Sequence, residues 1–134
     1  MISHSHIVKV FYKDVDKMGI VYYSRYFEYF EQSRTEMLNN IGLKYSLIEK
    51  RGVMLPVIEA YAKYIKNCTF EDKIIIQSII EKIPKSRFKI LYNIKRIKDG
   101  ALIVEGYTIH VFLNIHRKPV RPPKFFIDKV KSYF

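Results

Sequence analysis

Asp14 and Asp16 stand one residue apart in Asp14-Val-Asp-Lys-Met-Gly19, a turn-like segment between a strand-like run and a long stretch of helical period. A carboxylate in that place sits beside the N-terminus of the following helix, where unsatisfied backbone N–H groups carry a partial positive charge. It can act there as nucleophile or general base. The neighbouring N–H groups can meanwhile polarise a carbonyl oxygen whose negative charge grows during attack. Capping of the turn is the plainer account of both residues, and spacing alone leaves the two readings open. Rival catalytic patterns are missing: the sequence has no Gly-x-Ser-x-Gly, P-loop, Gly-x-Gly-x-x-Gly or His-Glu-x-x-His. His4 and His6 read as part of a mobile N-terminal tail. His110 and His116 lack a Cys or carboxylate partner and read as structural, so no metal site is expected. Glu59, on a strand beside Tyr61, reads as a surface or satisfied carboxylate.

The elements that would position the aspartates follow from periodicity. Residues 7–13 alternate and are rich in β-branched and aromatic types, which predicts a short strand. From Ser24 to Ile41 the period lengthens: Tyr22, Tyr26, Tyr29, Phe30, Ser33, Met37, Leu38 and Ile41 fall three or four apart, with Glu28, Glu31, Arg34 and Glu36 on other faces. That pattern predicts an amphipathic helix with an aromatic buried stripe, Ser24 as N-cap and Gly42 as the residue just past its end. Four strand-like runs follow at 53–67, 72–83, 87–98 and 101–115. Asp99-Gly100 between the last two is a strong hairpin signal. Residues 102–112 are apolar on both faces, which suits a central strand. Phe125, Phe126, Val130 and Phe134 suggest a short C-terminal helix. The expected class is α+β with an antiparallel sheet whose uncovered face meets solvent or another subunit.

Composition bounds the rest. The 134 residues carry 24 Lys+Arg against 13 Asp+Glu, a formal charge of +11, with 49% apolar and 15% aromatic residues, enough for one packed core. A single domain over residues 1–134 is therefore expected. No run approaches the roughly 20 apolar residues of a membrane span, and no secretory pattern is read at the start. Cys68 is the only cysteine, so no internal disulfide or Cys-x-x-Cys site exists. A reduced, cytoplasmic setting is the expectation. The positive surplus suits an anionic partner, although the lysines are scattered rather than blocked.

The run Phe11-Tyr-Lys-Asp-Val-Asp-Lys-Met-Gly-Ile-Val-Tyr-Tyr-Ser-Arg-Tyr26, followed by Phe30-Glu-Gln-Ser-Arg-Thr-Glu36, resembles the signature of the 4-hydroxybenzoyl-CoA thioesterase-like family, which includes the Tol-Pal-associated (YbgC-like) acyl-CoA thioesterases. Lys85-Ser86-Arg87-Phe88, Glu105-Gly106 and Pro119-Val-Arg-Pro122 agree with it, so the resemblance covers nearly the whole chain. It implies a hotdog fold: a five-stranded antiparallel sheet wrapped around one long central helix, with a short C-terminal helix. It implies hydrolysis of acyl-CoA to a carboxylic acid and CoA, with no cofactor. Asp16 then corresponds to the catalytic carboxylate, as nucleophile or general base. The backbone N–H of Tyr23 holds the thioester carbonyl, and Gly19 lets the loop approach the acyl group. Asp14 takes a supporting role. Lys85, Ser86 and Arg87 fall where phosphate or pantetheine contacts are made, with Arg117, Lys118 and Arg121 as weaker candidates on charge. Tyr23 and Arg25 replace a His and an Asn common in acyl-CoA members, which bears on acyl preference. A homodimer or homotetramer is expected.

Two other functions fit parts of the pattern. A non-hydrolytic module binding acyl-CoA or acyl carrier protein would use the same basic rim. A nucleic-acid-binding domain would suit the charge, but the aromatics lie mainly on the helix's buried stripe rather than among Lys and Arg on a strand face. Nucleic acid is therefore not the expected partner, and neither is stable membrane insertion.

Overall fold

The computed structural model describes residues 1–134. Six strands, β1 (Ile2–Lys9), β2 (Val57–Tyr64), β3 (Lys73–Ile80), β4 (Arg87–Arg96), β5 (Leu102–Leu113) and β6 (Pro119–Val120), accompany three helices, α1 (Arg25–Asn40), α2 (Tyr45–Lys50) and α3 (Lys124–Lys131). The sheet runs β1-β3-β4-β5-β2 with antiparallel pairing throughout, and β6 adds two residues beside β5. The expected five strands form the continuous path; the sixth is a short return after the turn at Asn114–Arg117. No helix is long and apolar enough to cross a membrane.

Helix α1 lies across the sheet because its aromatic stripe matches the sheet's inner rows. Tyr26, Tyr29, Phe30, Ser33, Met37 and Leu38 are buried. Phe30 stacks on Tyr92 of β4, with centroids 4.2 Å apart and planes 6° from parallel. On β3, Ile74, Ile76, Ser78 and Ile80 alternate inward. The helix ends in a Schellman motif: Leu43 N–H donates to Leu38 O at 2.8 Å and Gly42 N–H to Asn39 O at 3.1 Å, with Gly42 at φ +83°. Gly42 is thus the expected terminator. Tyr22, placed on the buried stripe by period, precedes the helix and is exposed.

Two terminal expectations change. The first strand is Ile2–Lys9, not 7–13, and His4 and His6 lie within it rather than in a mobile tail. The reason is pairing: every residue of β1 faces one of β3, from Ile2↔Ile80 to Lys9↔Lys73, and Ile2 enters the core. Past Lys9 the chain leaves the sheet, and Tyr12–Asp14 form a 3-10 turn. The run 53–67 contracts to eight strand residues: Val53 and Leu55 are buried, Met54 makes only an isolated bridge to Leu113 of β5, and the continuous ladder begins at Val57.

Candidate active site

The loop from Val10 to Ser24 crosses from the end of β1 to the start of α1, and it is closed on itself. Val15 bridges Val21, Asp16 N–H donates to Ile20 O at 2.9 Å, and Gly19 N–H donates to Asp16 O at 3.0 Å. Gly19 takes φ +80°, and a Cβ there would meet nothing within 4 Å. The turn's backbone therefore demands glycine, and the surface over it is open. The Asp16 carboxylate accepts the Met18 N–H at 2.8 Å, an Asx-type turn that orients it at the loop's outer edge, half-buried. Asp14, two residues earlier, is 3% exposed and bonds back to the Phe11 N–H and Lys13 Nζ. Asp14 closes the 3-10 turn and Asp16 follows the extended Val15, so the two carboxylates do not share one strand face: the first is buried and the second half-buried.

Tyr23 and Ser24 form the turn that enters α1, and the Tyr23 N–H donates to no group in the chain. Ser24, the expected N-cap, has helical backbone angles (φ −71°, ψ −19°) and makes no capping bond with its side chain. No side chain caps the helix: the Arg25 N–H donates to Tyr22 O at 2.9 Å and the Phe27 N–H to Ser24 O at 3.2 Å, while the Tyr23 N–H just before the helix stays free at the positive end of its dipole. Sequence reasoning missed Tyr64, whose hydroxyl donates to Tyr23 O at 3.2 Å from the end of β2 and whose ring meets Tyr23 edge-on at 6.3 Å. The two residues lie 41 apart, so only the sheet brings them together. Arg25, noted from sequence only as a departure from family habit, pairs with Glu28 at 2.9 Å and approaches Asp14 at 3.9 Å.

Lys85, Ser86 and Arg87 are not brought to this loop. Asp16 lies at the end of the sheet where β3 begins, since Val10 N–H donates to Asp72 O and Val21 N–H to Cys68 O. Lys85 and Ser86 lie in the turn after β3 ends, and Arg87 opens β4. The eight residues of β3 between them span about 26 Å. Around that turn, Lys82, Lys85, Ser86, Arg87 and Lys89 line a cleft of about 480 Å³. Arg121 joins Ser86 and Arg87 in a neighbouring recess, and Arg117 and Lys118 are exposed in the β5–β6 turn. Glu59 is exposed on β2.

Under the sheet's inner face runs a buried chain. His110 Nδ1 bonds Leu55 O at 3.1 Å, Thr108 Oγ1 lies 2.9 Å from His110 Nε2, and Tyr92 Oη lies 2.7 Å from Thr108 Oγ1. The carbonyl requires Nδ1 to carry the proton, so Nε2 accepts from Thr108, which accepts from Tyr92. Burial, opposed by the Leu55 carbonyl and helped by the Arg34 charge, lowers the His110 pKa from 6.5 to about 4. The unfolded chain then binds a proton that the folded one refuses, so the stability is complete above pH 6.5 and lost as pH falls towards 4. The full shift corresponds to about 3 kcal/mol. Urea titrations at pH 7 and pH 4.5 are expected to show most of that loss, and His110→Gln is expected to remove most of the difference; an equal difference in both proteins would discharge His110 from it.

One aromatic helix across an antiparallel sheet, with an acidic loop at the mouth of its uncapped N-terminus, defines a hotdog-type domain. Residues 10–130 match the thioesterase-like superfamily, and the chain belongs to that family. It is similar to the Bacillus subtilis protein YneP, 29% identical over 128 residues, which cover 94% of this chain and 91% of that one. It is similar also to the acyl-CoA thioesterase YbgC of Haemophilus influenzae, 27% identical over 130 residues, 95% of this chain and 90% of the other. The crystal structure of a DHNA-CoA thioesterase from Staphylococcus aureus superposes with a TM-score of 0.90 at 28% identity, covering 99% of this chain and 89% of that one.

Proposed function

We propose that the protein is an acyl-CoA thioesterase that converts acyl-CoA and water to a carboxylic acid and free CoA. The observation that carries this reading is one closed loop presenting the Asp16 carboxylate outward and, at its helical end, a Tyr23 N–H with no partner in the chain. The thioester carbonyl oxygen accepts that N–H, and the helix dipole stabilises the charge it gains in the transition state. Asp16 either attacks the carbonyl carbon, expelling the CoA thiolate and leaving an anhydride that water opens, or takes the proton of an attacking water. If water opens the anhydride at the aspartyl carbonyl, the acid leaves with an Asp16 oxygen and the label enters Asp16, so a single turnover in 18O-labelled water that yields unlabelled acid and labelled Asp16 identifies the nucleophilic course.

Lys85, Ser86 and Arg87 fit this reading as phosphate contacts supplied by a second copy. Strand β2 pairs only with β5 on one side, and Val57, Ile58, Tyr61 and Tyr64 are 42–48% exposed along it. A long apolar edge of this kind is a template for another strand. An antiparallel β2–β2 pairing reverses the partner's sheet, so the partner's basic turn moves to the end that carries Asp16. The pyrophosphate and 3′-phosphate of CoA suit its lysines and arginine. Acyl carrier protein, an acidic carrier, suits the same rim.

The test is thiol release from short-chain, long-chain and aromatic acyl-CoAs, with binding measured in parallel. Release from at least one class is expected. Tight binding with no release from any would replace hydrolysis with a carrier or sensor role.

A further inference from the structure

We propose that Asp14 is a positioning residue for hydrolysis: its buried carboxylate and its carbonyl together fix the distance between Asp16 and the Tyr23 N–H. This rests on the acyl-CoA thioesterase reading. The two groups must face one carbonyl from different parts of a loop, and a displacement of about 1 Å from mutation can cost about a hundredfold in rate. Something has to hold the ends of that loop together.

Asp14 touches every segment involved. Its Oδ2 accepts the Phe11 N–H at 3.1 Å, where the chain leaves β1. Its Oδ1 accepts Lys13 Nζ at 2.7 Å and lies 3.9 Å from Arg25 Nε, on the first residue of α1. Its own N–H donates to Phe11 O at 3.0 Å, and its carbonyl accepts the Tyr22 N–H at 2.9 Å. Tyr22 immediately precedes Tyr23, so a single peptide separates that anchor from the proposed carbonyl donor. Asp16 is two peptides away in the other direction. One residue therefore sets both distances.

The charge is part of the device. A buried carboxylate is costly unless paired, and a neutral side chain would serve to cap the 3-10 turn. Burial works to raise the Asp14 pKa, but the bonds from Lys13 and the Phe11 N–H outweigh it, and the carboxyl is held below its ordinary value. Ionised, it faces the Arg25 guanidinium at 3.9 Å, which also bonds Glu28 and donates to Lys13 O, so the charge lies between the start of α1 and the end of β1. Tyr29, one turn along the helix, buries a hydroxyl with no bond in the chain; burial, and after it the nearby Asp14 charge, raises its pKa. That hydroxyl is a further donor on the carboxylate's side of α1.

The experiment compares Asp14→Asn, Asp14→Ala, Arg25→Gln and the Asp14→Asn/Arg25→Gln double variant in the full chain, using the acyl-CoA that the unaltered protein turns over fastest. Asn keeps an acceptor for the Phe11 N–H but loses the charge; Ala loses both. We expect kcat to fall about tenfold in Asp14→Asn and about a hundredfold in Asp14→Ala, with KM within threefold of the parent. Because the two side chains act through one contact, the double variant is expected to lose little more than either single one. Amide exchange at Tyr22 and Tyr23 should quicken in Asp14→Ala while β3 and β4 stay protected. Parental kcat in folded Asp14→Ala would overturn the proposal, as would a rise in KM alone, additive losses, or a rate loss equal to the unfolded fraction. If the parent itself releases no thiol, the hydrolase reading fails, and the exchange at Tyr22 and Tyr23 alone decides whether Asp14 holds the loop.

Discussion

Asp16→Asn is expected to fold as the parent does and to lose at least about a hundredfold in acyl-CoA turnover, the lower end of what one general base contributes. Asparagine has the same size, and its carbonyl oxygen still accepts the Met18 N–H that shapes the turn. What disappears is the negative charge and its affinity for a proton or an electrophilic carbon. The change is equivalent to about 2.7 kcal/mol or more in activation free energy. The matching observations are thiol release at saturating substrate and a thermal melt within about 2 °C of the parent. Turnover within threefold of the parent would remove Asp16 from the chemistry.

Gly106→Ala is expected to destabilise the fold by about 3 kcal/mol or more, the upper range for overpacking. Gly106 sits on β5 opposite Ala62 of β2, under the ring of Phe30. A Cβ there would run into the Tyr61 carbonyl oxygen and lie 3.1 Å from Phe30 Cε2 and 3.2 Å from Ala62 Cα. The first obstacle is backbone, so no side chain can swing aside; β2 would have to leave its ladder. That movement also carries Tyr64 away from Tyr23, so surviving protein should lose activity as well as stability. Gly100→Ala is the control: its φ is +69° but nothing lies within 4 Å of the added carbon, so a cost of about 1 kcal/mol is expected. Urea unfolding of the three proteins checks the ranking, and equal stability of the two variants would discount crowding at Gly106.

The helix and its end were legible in the sequence because they depend on local spacing. Tyr26 through Leu38 mark one face, and Gly42 supplies the left-handed residue that a Schellman motif requires. The Asp99-Gly100 turn and the central place of β5 were legible for the same reason. Ser24 misled, since a residue type favoured at caps says nothing of whether its backbone angles permit the bond. His4 and His6 misled because β1 is held by β3, a partner some 70 residues away, and not by its own alternation.

For the candidate site, the sequence by itself placed Asp16, Gly19 and Tyr23 on one loop, because chain continuity keeps residues within seven positions close together. It also marked Lys85, Ser86 and Arg87 as a basic turn. Only the tertiary structure decided that Asp14 is buried while Asp16 is half-buried, that Tyr64 braces Tyr23, and that the basic turn lies at the far end of β3. Those facts are set by strand order and register, which arise from pairings between distant segments, and local periodicity carries no record of which strand will lie beside which.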